Sequence, residues 1–504
     1  MEYWPGHSII VAMHTLPANI YSVATVREID RCAIEDSGIA GYTLMNRAAA
    51  ATIREARREY PDALRWQVIC GAGNNGGDGY AVARLAAEEG IVVSAIALVD
   101  PQLLKGDAAT AYRDFATEGG VAQPWSGELD ADADLLVDAV LGSGLLRGVT
   151  GDLAAAVERI NAHAAPVISL DIPTGLHGDS GAILGCAVRA ALTVTFVGLK
   201  AGLFRDQGPA CCGVIRFAGL DIPESCRAES VADYRRIDDR MSRRGLKPRA
   251  RGAHKGDFGH VLVIGGGKGM PGAARLCAEA ALRAGAGRVS VATDPGHAAM
   301  LVAARPELMS HAVAGAEDLR QLLDNIDVIA FGPGLGRAPW AAELYAVAAA
   351  DGRPAVWDAD ALHWLAAVPA PAANRVITPH PGEAGTLLGS SAATVQSDRP
   401  RALQDLRARY GGIVVLKGAG TLVSSATNVP WLSTSGNPGM AAPGMGDVLT
   451  GVIAALMAQG LPAEDAAAIG VEVHATAGDR AAESGQRGLI ASDLMDELRG
   501  VLNP

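Results

Sequence analysis

A chain of 504 residues is about three times a typical domain length, so more than one folded core is expected. Hydrophobic residues make up 49% and charged residues 19%, which excludes a disordered polymer and fits an α/β protein rich in tight turns. A net charge of −12 excludes long-range attraction to nucleic acid or an anionic membrane, so an anionic ligand must be held by local amides, helix ends or a metal. No apolar run reaches the roughly 20 residues of a membrane span, and the first dozen residues lack a signal-peptide pattern, so Met13 is expected as the start of the folded chain. Seven scattered cysteines without CxxC spacing predict reduced thiols and a cytoplasmic protein.

Two helices are predicted over Ser22 to Ser37 and Gly41 to Tyr60. Short β-branched runs then alternate with Ala-rich helical segments: Trp66 to Cys70, Ile91 to Val99, Leu135 to Asp138 and Pro166 to Asp171, the pattern of βαβ units around a parallel sheet. The first of these runs ends in Cys70-Gly-Ala-Gly-Asn74-Asn75-Gly76-Gly77-Asp78-Gly79, which contains GxGxxG and is followed by Asp100 at the next strand end. That motif alone is weak, and its two asparagines and Asp78 suit ribose hydroxyls or a monovalent cation better than an ordinary dinucleotide turn. Two more acidic turns follow strands, at Asp138-Ala-Val-Leu-Gly142-Ser143-Gly144-Leu145-Leu146-Arg147-Gly148 and at Asp171-Ile-Pro-Thr174-Gly175. Each is more often a simple turn carboxylate, but the carboxyl ends of parallel strands share one edge, where three such turns make a site.

From about Asp221 to Arg251 the sequence becomes charge-dense and reads as a domain junction. Alternation resumes with strands at His260 to Ile264, Arg288 to Val291, Ile326 to Phe331, Pro354 to Trp357, Arg375 to Thr378 and Ile413 to Leu416, and the chain from Asp447 to Leu502 is mainly helical. Lys268 invites a P-loop reading, but Gly269 stands where Ser or Thr must hold magnesium, so that reading is rejected. Gly332-Pro-Gly334-Leu-Gly336, Asp358-Ala-Asp360, Thr378-Pro-His380-Pro-Gly-Glu383 and Lys417-Gly418-Ala419-Gly420-Thr421 all follow strands. The stretch Ser435 to Gly451 then crowds glycine and proline before an apolar helix, with Asp447 as its only ionisable group. The amides of Gly444, Met445 and Gly446 at that helix start make an anion hole, unless Asp447 is only an N-cap.

The first half, through Gly-Asn-Asn-Gly-Gly-Asp-Gly, Asp-Ala-Val-Leu-Gly-Ser-Gly and Asp-Ile-Pro-Thr-Gly, resembles the YjeF N-terminal domain, the NAD(P)H-hydrate epimerase family. The second half, through Gly-Asn-Pro-Gly-Met and Gly-Met-Gly-Asp-Val-Leu-Thr-Gly, resembles the YjeF C-terminal domain, the ADP/ATP-dependent NAD(P)H-hydrate dehydratases. The resemblance implies a Rossmann-like three-layer αβα domain over 13–225, a linker over 226–250 and a ribokinase-like three-layer αβα domain over 251–504. It implies potassium on Asn75, Asp138 and Thr174, and hydrate binding by Asn74 to Asp78, Gly142 to Gly148 and Asp171, with Asp171 as the acid/base of inversion. In the second half it implies that Ala274, Gly334, His380 and Asp447 approach the hydrate. Lys417 to Thr421 and Gly446 would hold ADP or ATP with magnesium, Glu383 and the Asp358/Asp360 pair would face the metal, and Asp447 would act as the base. Pro443 replaces a glycine common in that family. NADHX and NADPHX with an adenine nucleotide are the implied substrates, in a homo-oligomer. A ribokinase-like small-molecule kinase fused to a non-catalytic nucleotide-binding domain is the alternative, with a ligand-sensing module as a third reading.

Overall fold

The computed structural model describes residues 16–503, so the expected start at Met13 and the extension before it lie outside the described residues. The chain divides into two compact units, Met1–Arg235 and Arg236–Pro504.

In the first unit a short strand β1 (Asn19–Tyr21) leads into helices α1 (Val23–Arg31) and α2 (Gly41–Glu59). There follow β2 (Arg65–Cys70), α3 (Asn74–Glu88), β3 (Val92–Ala97), α4 (Gly106–Thr117), β4 (Ala122–Pro124), β5 (Leu135–Ala139), α5 (Asp152–Ala162), β6 (Val167–Leu170), β7 (Leu192–Phe196), β8 (Leu199–Lys200) and β9 (Val214–Ala218). Seven of these strands form one parallel sheet in the order β4-β3-β2-β5-β6-β7-β9. Strand residues alternate between two apolar clusters: Val68 and Val137 join α2 and α3 on one side, while Ile69 and Leu136 join α5 on the other. Burial on both faces is why these strands read as continuous apolar runs rather than as polar–apolar alternation.

Register places the chemistry. Val68 pairs with Val137 and Asp138 with Ser169, so β2, β5 and β6 end together and release their three loops on one edge.

After strand β10 (Tyr234–Arg236), the second unit holds β11 (His260–Ile264), α6 (Pro271–Arg283), β12 (Arg288–Thr293), β13 (Met309–Ala312), β14 (Val328–Phe331), α7 (Pro339–Ala350), β15 (Ala355–Trp357), α8 (Asp360–Ala367), β16 (Arg375–Ile377), α9 (Pro381–Leu388), β17 (Ile413–Leu416), β18 (Leu422–Val423), β19 (Trp431–Leu432), α10 (Met445–Ala458) and α11 (Ala463–Ala481). The parallel strands run β13-β12-β11-β14-β15-β16-β17, and β18 and β19 continue antiparallel. Val261, Val263 and Val356 pack with α6, α10 and α11. On the other face Phe331, Trp357 and Tyr345 of α7 form an aromatic cluster with centroids 5.2 to 6.4 Å apart.

The charge-dense stretch expected as a domain junction contains the division at Arg235/Arg236, and it carries a strand at Tyr234–Arg236 and a helix at Asp239–Gly245, with Ile237 and Met241 buried in the second core. One expectation is corrected. The cysteines are not all reduced: Cys32 and Cys226, 194 residues apart, form a disulfide with Cα atoms 5.7 Å apart. Such a pair is made by the tertiary fold, so spacing along the chain carries no sign of it. Among the described residues no helix is long and apolar enough to cross a membrane.

Candidate functional sites

The first unit carries a cleft of about 970 Å³ over the carboxyl edge of its sheet. Its walls include Asn74, Asn75, Asp78, the Gly142 to Arg147 loop, Asp171 and, from α1, Arg27 and Asp30. Gly76, Gly77 and Gly148 do not line it. Gly76 matters for shape: a Cβ there would lie 2.1 Å from the Gly71 carbonyl oxygen, so only glycine lets the loop fold onto the start of α3. The N-cap of α3, Gly73, brings no side-chain cap, so the first helical amides are free for an anion at the cleft. Asp100 instead caps a short turn, accepting from the Gln102 amide at 2.9 Å, and takes no part in the cleft.

Asp138 and Thr174 lie beneath the cleft, both fully buried. The Asp138 carboxylate accepts from the Thr174 hydroxyl at 2.6 Å, the Thr174 amide at 2.9 Å, the Ser169 hydroxyl at 2.8 Å and the Val140 amide at 3.3 Å. Burial raises its pKa, and these neutral donors only partly oppose that. Beside Gly142, the buried Asn75 amide nitrogen has no hydrogen-bond partner. Turning that amide over would present its oxygen. A buried carboxylate without a basic partner, bonded to the Thr174 hydroxyl, has donor chemistry that suits a monovalent cation.

Asp171 sits at the end of β6 with φ 67°, a conformation that L-residues seldom adopt and that functional sites concentrate. Its carboxylate is ion-paired with Lys200, which is 1% exposed and also donates to Phe196 O at 2.8 Å and Thr195 Oγ1 at 3.2 Å. Sequence reasoning missed Lys200 because it stands alone after an apolar strand. Asp30 was missed too: one acid on an amphipathic helix looks like its solvated face.

In the second unit α10 begins at Met445 behind Gly444, whose φ of 87° is left-handed and suits only glycine without strain. Its first amides have no intrahelical partner. Asp447, in the first turn, accepts no hydrogen bond from any other described residue. Burial, reinforced by Asp358 and only partly opposed by Lys417, pushes its carboxyl up to about 7. Lys417 Nζ donates to Asp358 at 2.7 Å and lies 3.8 Å from Glu383, and Thr450 donates to Asp358 at 3.0 Å. Burial, the largest influence, would raise Asp358, but the Lys417 charge together with hydrogen bonds from Lys417, Thr378 and Thr450 holds this carboxyl low. A Cβ at Gly446 would lie 3.1 Å from Lys417 Nζ, so Lys417, Gly446, Asp358 and Asp447 form one cluster.

The Lys417 to Thr421 turn closes through the Thr421 hydroxyl, which donates to Gly418 O at 2.9 Å. It is held from behind by buried Arg399, whose guanidinium donates to the carbonyls of Leu416, Lys417 and Gly420 at 3.0 to 3.2 Å. His380 is the N-cap of α9: its Nδ1 accepts from the Gly382 amide at 3.0 Å, and Glu383 accepts from the His380 amide at 2.8 Å. Both also line a pocket of about 280 Å³ with Arg337, Asp360 and His363. Ala274 is fully buried with its methyl under Gly266, and Gly334 packs against Met270, so neither borders that pocket. Among the described residues no three His, Cys, Asp or Glu side chains are grouped to hold a metal. Asp360 already accepts from the Gly336 amide at 2.8 Å. A magnesium ion would therefore need phosphate oxygens for most of its ligands.

Residues 261–499 match the profile of the NAD(P)H-hydrate dehydratase family, and residues 41–202 that of the YjeF-related protein N-terminus. The chain is similar to the bifunctional NAD(P)H-hydrate repair enzyme Nnr of Coxiella burnetii, at 44% identity over 486 residues, covering 96% of this chain and 99% of that one. It is similar to the enzyme of the same name from Escherichia coli K12, at 41% identity over 491 residues, covering 97% and 95%. Among solved structures it is similar to the protein SMU.573 from Streptococcus mutans, at 28% identity and TM-score 0.50, covering 53% of this chain and 98% of that one.

Proposed function

We propose a residue-level account of two reactions for this chain, which belongs to the family of bifunctional NAD(P)H-hydrate repair enzymes. The Rossmann-like first half interconverts the R and S hydrates, and the ribokinase-like second half dehydrates the S form at the expense of ADP or ATP. In the first half the Gly142 to Gly148 loop and the start of α3 bind the dinucleotide. Asp171 carries the proton as C6 of the nicotinamide opens and recloses. Asp138, Thr174 and the Asn75 amide would hold potassium, which would supply the positive charge that the buried carboxylate lacks.

In the second half the Lys417 to Thr421 turn and Gly446 seat the adenine nucleotide, and Lys417 sets a positive charge beside its phosphates. Magnesium, held on the Glu383 and Asp360 side together with the nucleotide, would supply positive charge that screens those phosphates. Asp447 takes the proton from the C6 hydroxyl as that oxygen attacks the terminal phosphorus. The P–O bond to the departing AMP or ADP breaks, and the free amides at the start of α10 hold the developing charge. The ring nitrogen then pushes out phosphate, and loss of a C5 proton restores the reduced nicotinamide. Hydroxide, a poor leaving group, has been replaced by phosphate.

The observation that carries the second assignment is Asp447 itself: raised to about 7, unbonded, and placed at the start of a helix behind a left-handed glycine. Asp447→Asn is expected to lower dehydration by roughly 10² to 10⁴-fold while epimerisation continues. Steady-state assay of each activity on the same preparation checks this, and equal loss of both would refute the assignment.

A further inference from the structure

Epimerisation at C6 poses a geometric problem that one carboxylate does not solve. The hydroxyl lies on one ring face in the R form and on the other in the S form, and opening the ring requires one proton removed from oxygen and another delivered to nitrogen. Two proton carriers reaching the ring from different walls would meet that demand.

The cleft supplies a second one. Asp30 is next to last in α1, the helix that lines the cleft with Val26, Arg27 and Arg31, whereas Asp171 stands on the sheet edge. Asp30 is half-buried and accepts no hydrogen bond from any described residue, while Asp171 is ion-paired with Lys200. The charged groups facing Asp30 are Lys200 and Asp171 from the sheet edge and Asp78 from α3. Asp107 of α4 borders the same cleft. On its own helix, Arg31 is engaged by Glu28 and Glu35. Burial raises the Asp30 carboxyl to about 6, with Lys200 opposing and Asp171 adding to the shift. Burial, with Asp171 and Asp30 nearby, also raises Asp78.

We propose that Asp30 is the second proton carrier of the epimerase site, acting from the helix wall while Asp171 acts from the sheet edge. This rests on the reading of Asp171 as an acid/base. Asp171, ion-paired with Lys200, removes the C6 hydroxyl proton. The C6–O bond becomes a carbonyl, the C6–N1 electron pair moves to N1, and protonated Asp30 gives its proton to N1. Rotation about C5–C6 turns the other carbonyl face to the nitrogen. N1 then re-forms its bond to C6, its proton returns to one carboxylate, and the new alkoxide takes the proton held by the other. No atom or electron is gained or lost over the cycle.

The test is epimerisation by the full chain without nucleotide, following R and S hydrates by chromatography. Asp30→Asn should lower kcat by about 10²-fold with KM little changed, and Asp30→Glu should recover part of the loss. In the wild type kcat/KM should decline above about pH 6 as Asp30 loses its proton, and that decline should vanish in Asp30→Asn. A wild-type rate in Asp30→Asn, or a loss confined to KM, would overturn the proposal while leaving Asp171 in place. A wild-type rate in Asp171→Asn would instead overturn the reading on which the proposal rests.

Discussion

Asp447 differs from the carboxylates around it in having nothing to bond. Asp358 is neutralised by Lys417 and bonded by Thr450, and Glu383 closes the cap of α9, so their charges are committed to structure. Asp447 keeps a basic, unengaged carboxylate, and its pKa gives the prediction a sign. A proton acceptor works only when ionised; because burial and Asp358 lift Asp447 to about 7, dehydration should weaken as the pH falls through 7. Below that point kcat/KM should drop about tenfold per pH unit, which a pH profile of the free enzyme reads directly. An acid limb near 4 would mean that the raised carboxyl is not the working base. At this scale the sequence showed groups embedded in motifs, such as Asp447, Asp171 and Asp138. It could not show Lys200, Asp30 or Arg399, because each acts through a contact that only the fold creates.

The parallel strands between tight turns were readable as elements, because burial on both faces leaves short apolar runs that length and flanking glycines mark as strands. Leu192–Phe196 went unread although its Leu-Thr-Val-Thr-Phe alternation is a strand signal, while Ala122–Pro124 is three residues with a proline and gives none. The order of the turns was legible; what holds them was not. Arg399 of the helix Arg399–Tyr410 ties the turn after β17 by three carbonyls, so it should govern nucleotide binding without touching the hydrate. Arg399→Ala leaves those buried carbonyls without their donor, at a cost of about 1–3 kcal/mol. We expect KM for the nucleotide to rise several-fold with KM for the hydrate unchanged, measured by varying each substrate in turn. Equal rises in both would refute this division of labour.

The whole chain is acidic, yet both of its reactions handle polyanions. Long-range charge cannot gather such ligands, so the work falls on free helix-start amides and on local cations such as Lys417. Each candidate site is built from residues of a single compact unit, the first cleft within Met1–Arg235 and the Asp447 cluster within Arg236–Pro504. Two self-contained sites predict separable activities on one polypeptide. The most direct measurement is recovery of reduced-nicotinamide absorbance from an equal mixture of R and S hydrates with nucleotide in excess. Rates should be compared at a temperature where spontaneous epimerisation is slow. The wild type should recover the whole pool, and Asp171→Asn should stop after the S half. Asp447→Asn should recover almost nothing while still interconverting the two forms. If Asp171→Asn recovered the whole pool at the wild-type rate, or if either substitution abolished both activities, the account of two independent sites would be contradicted.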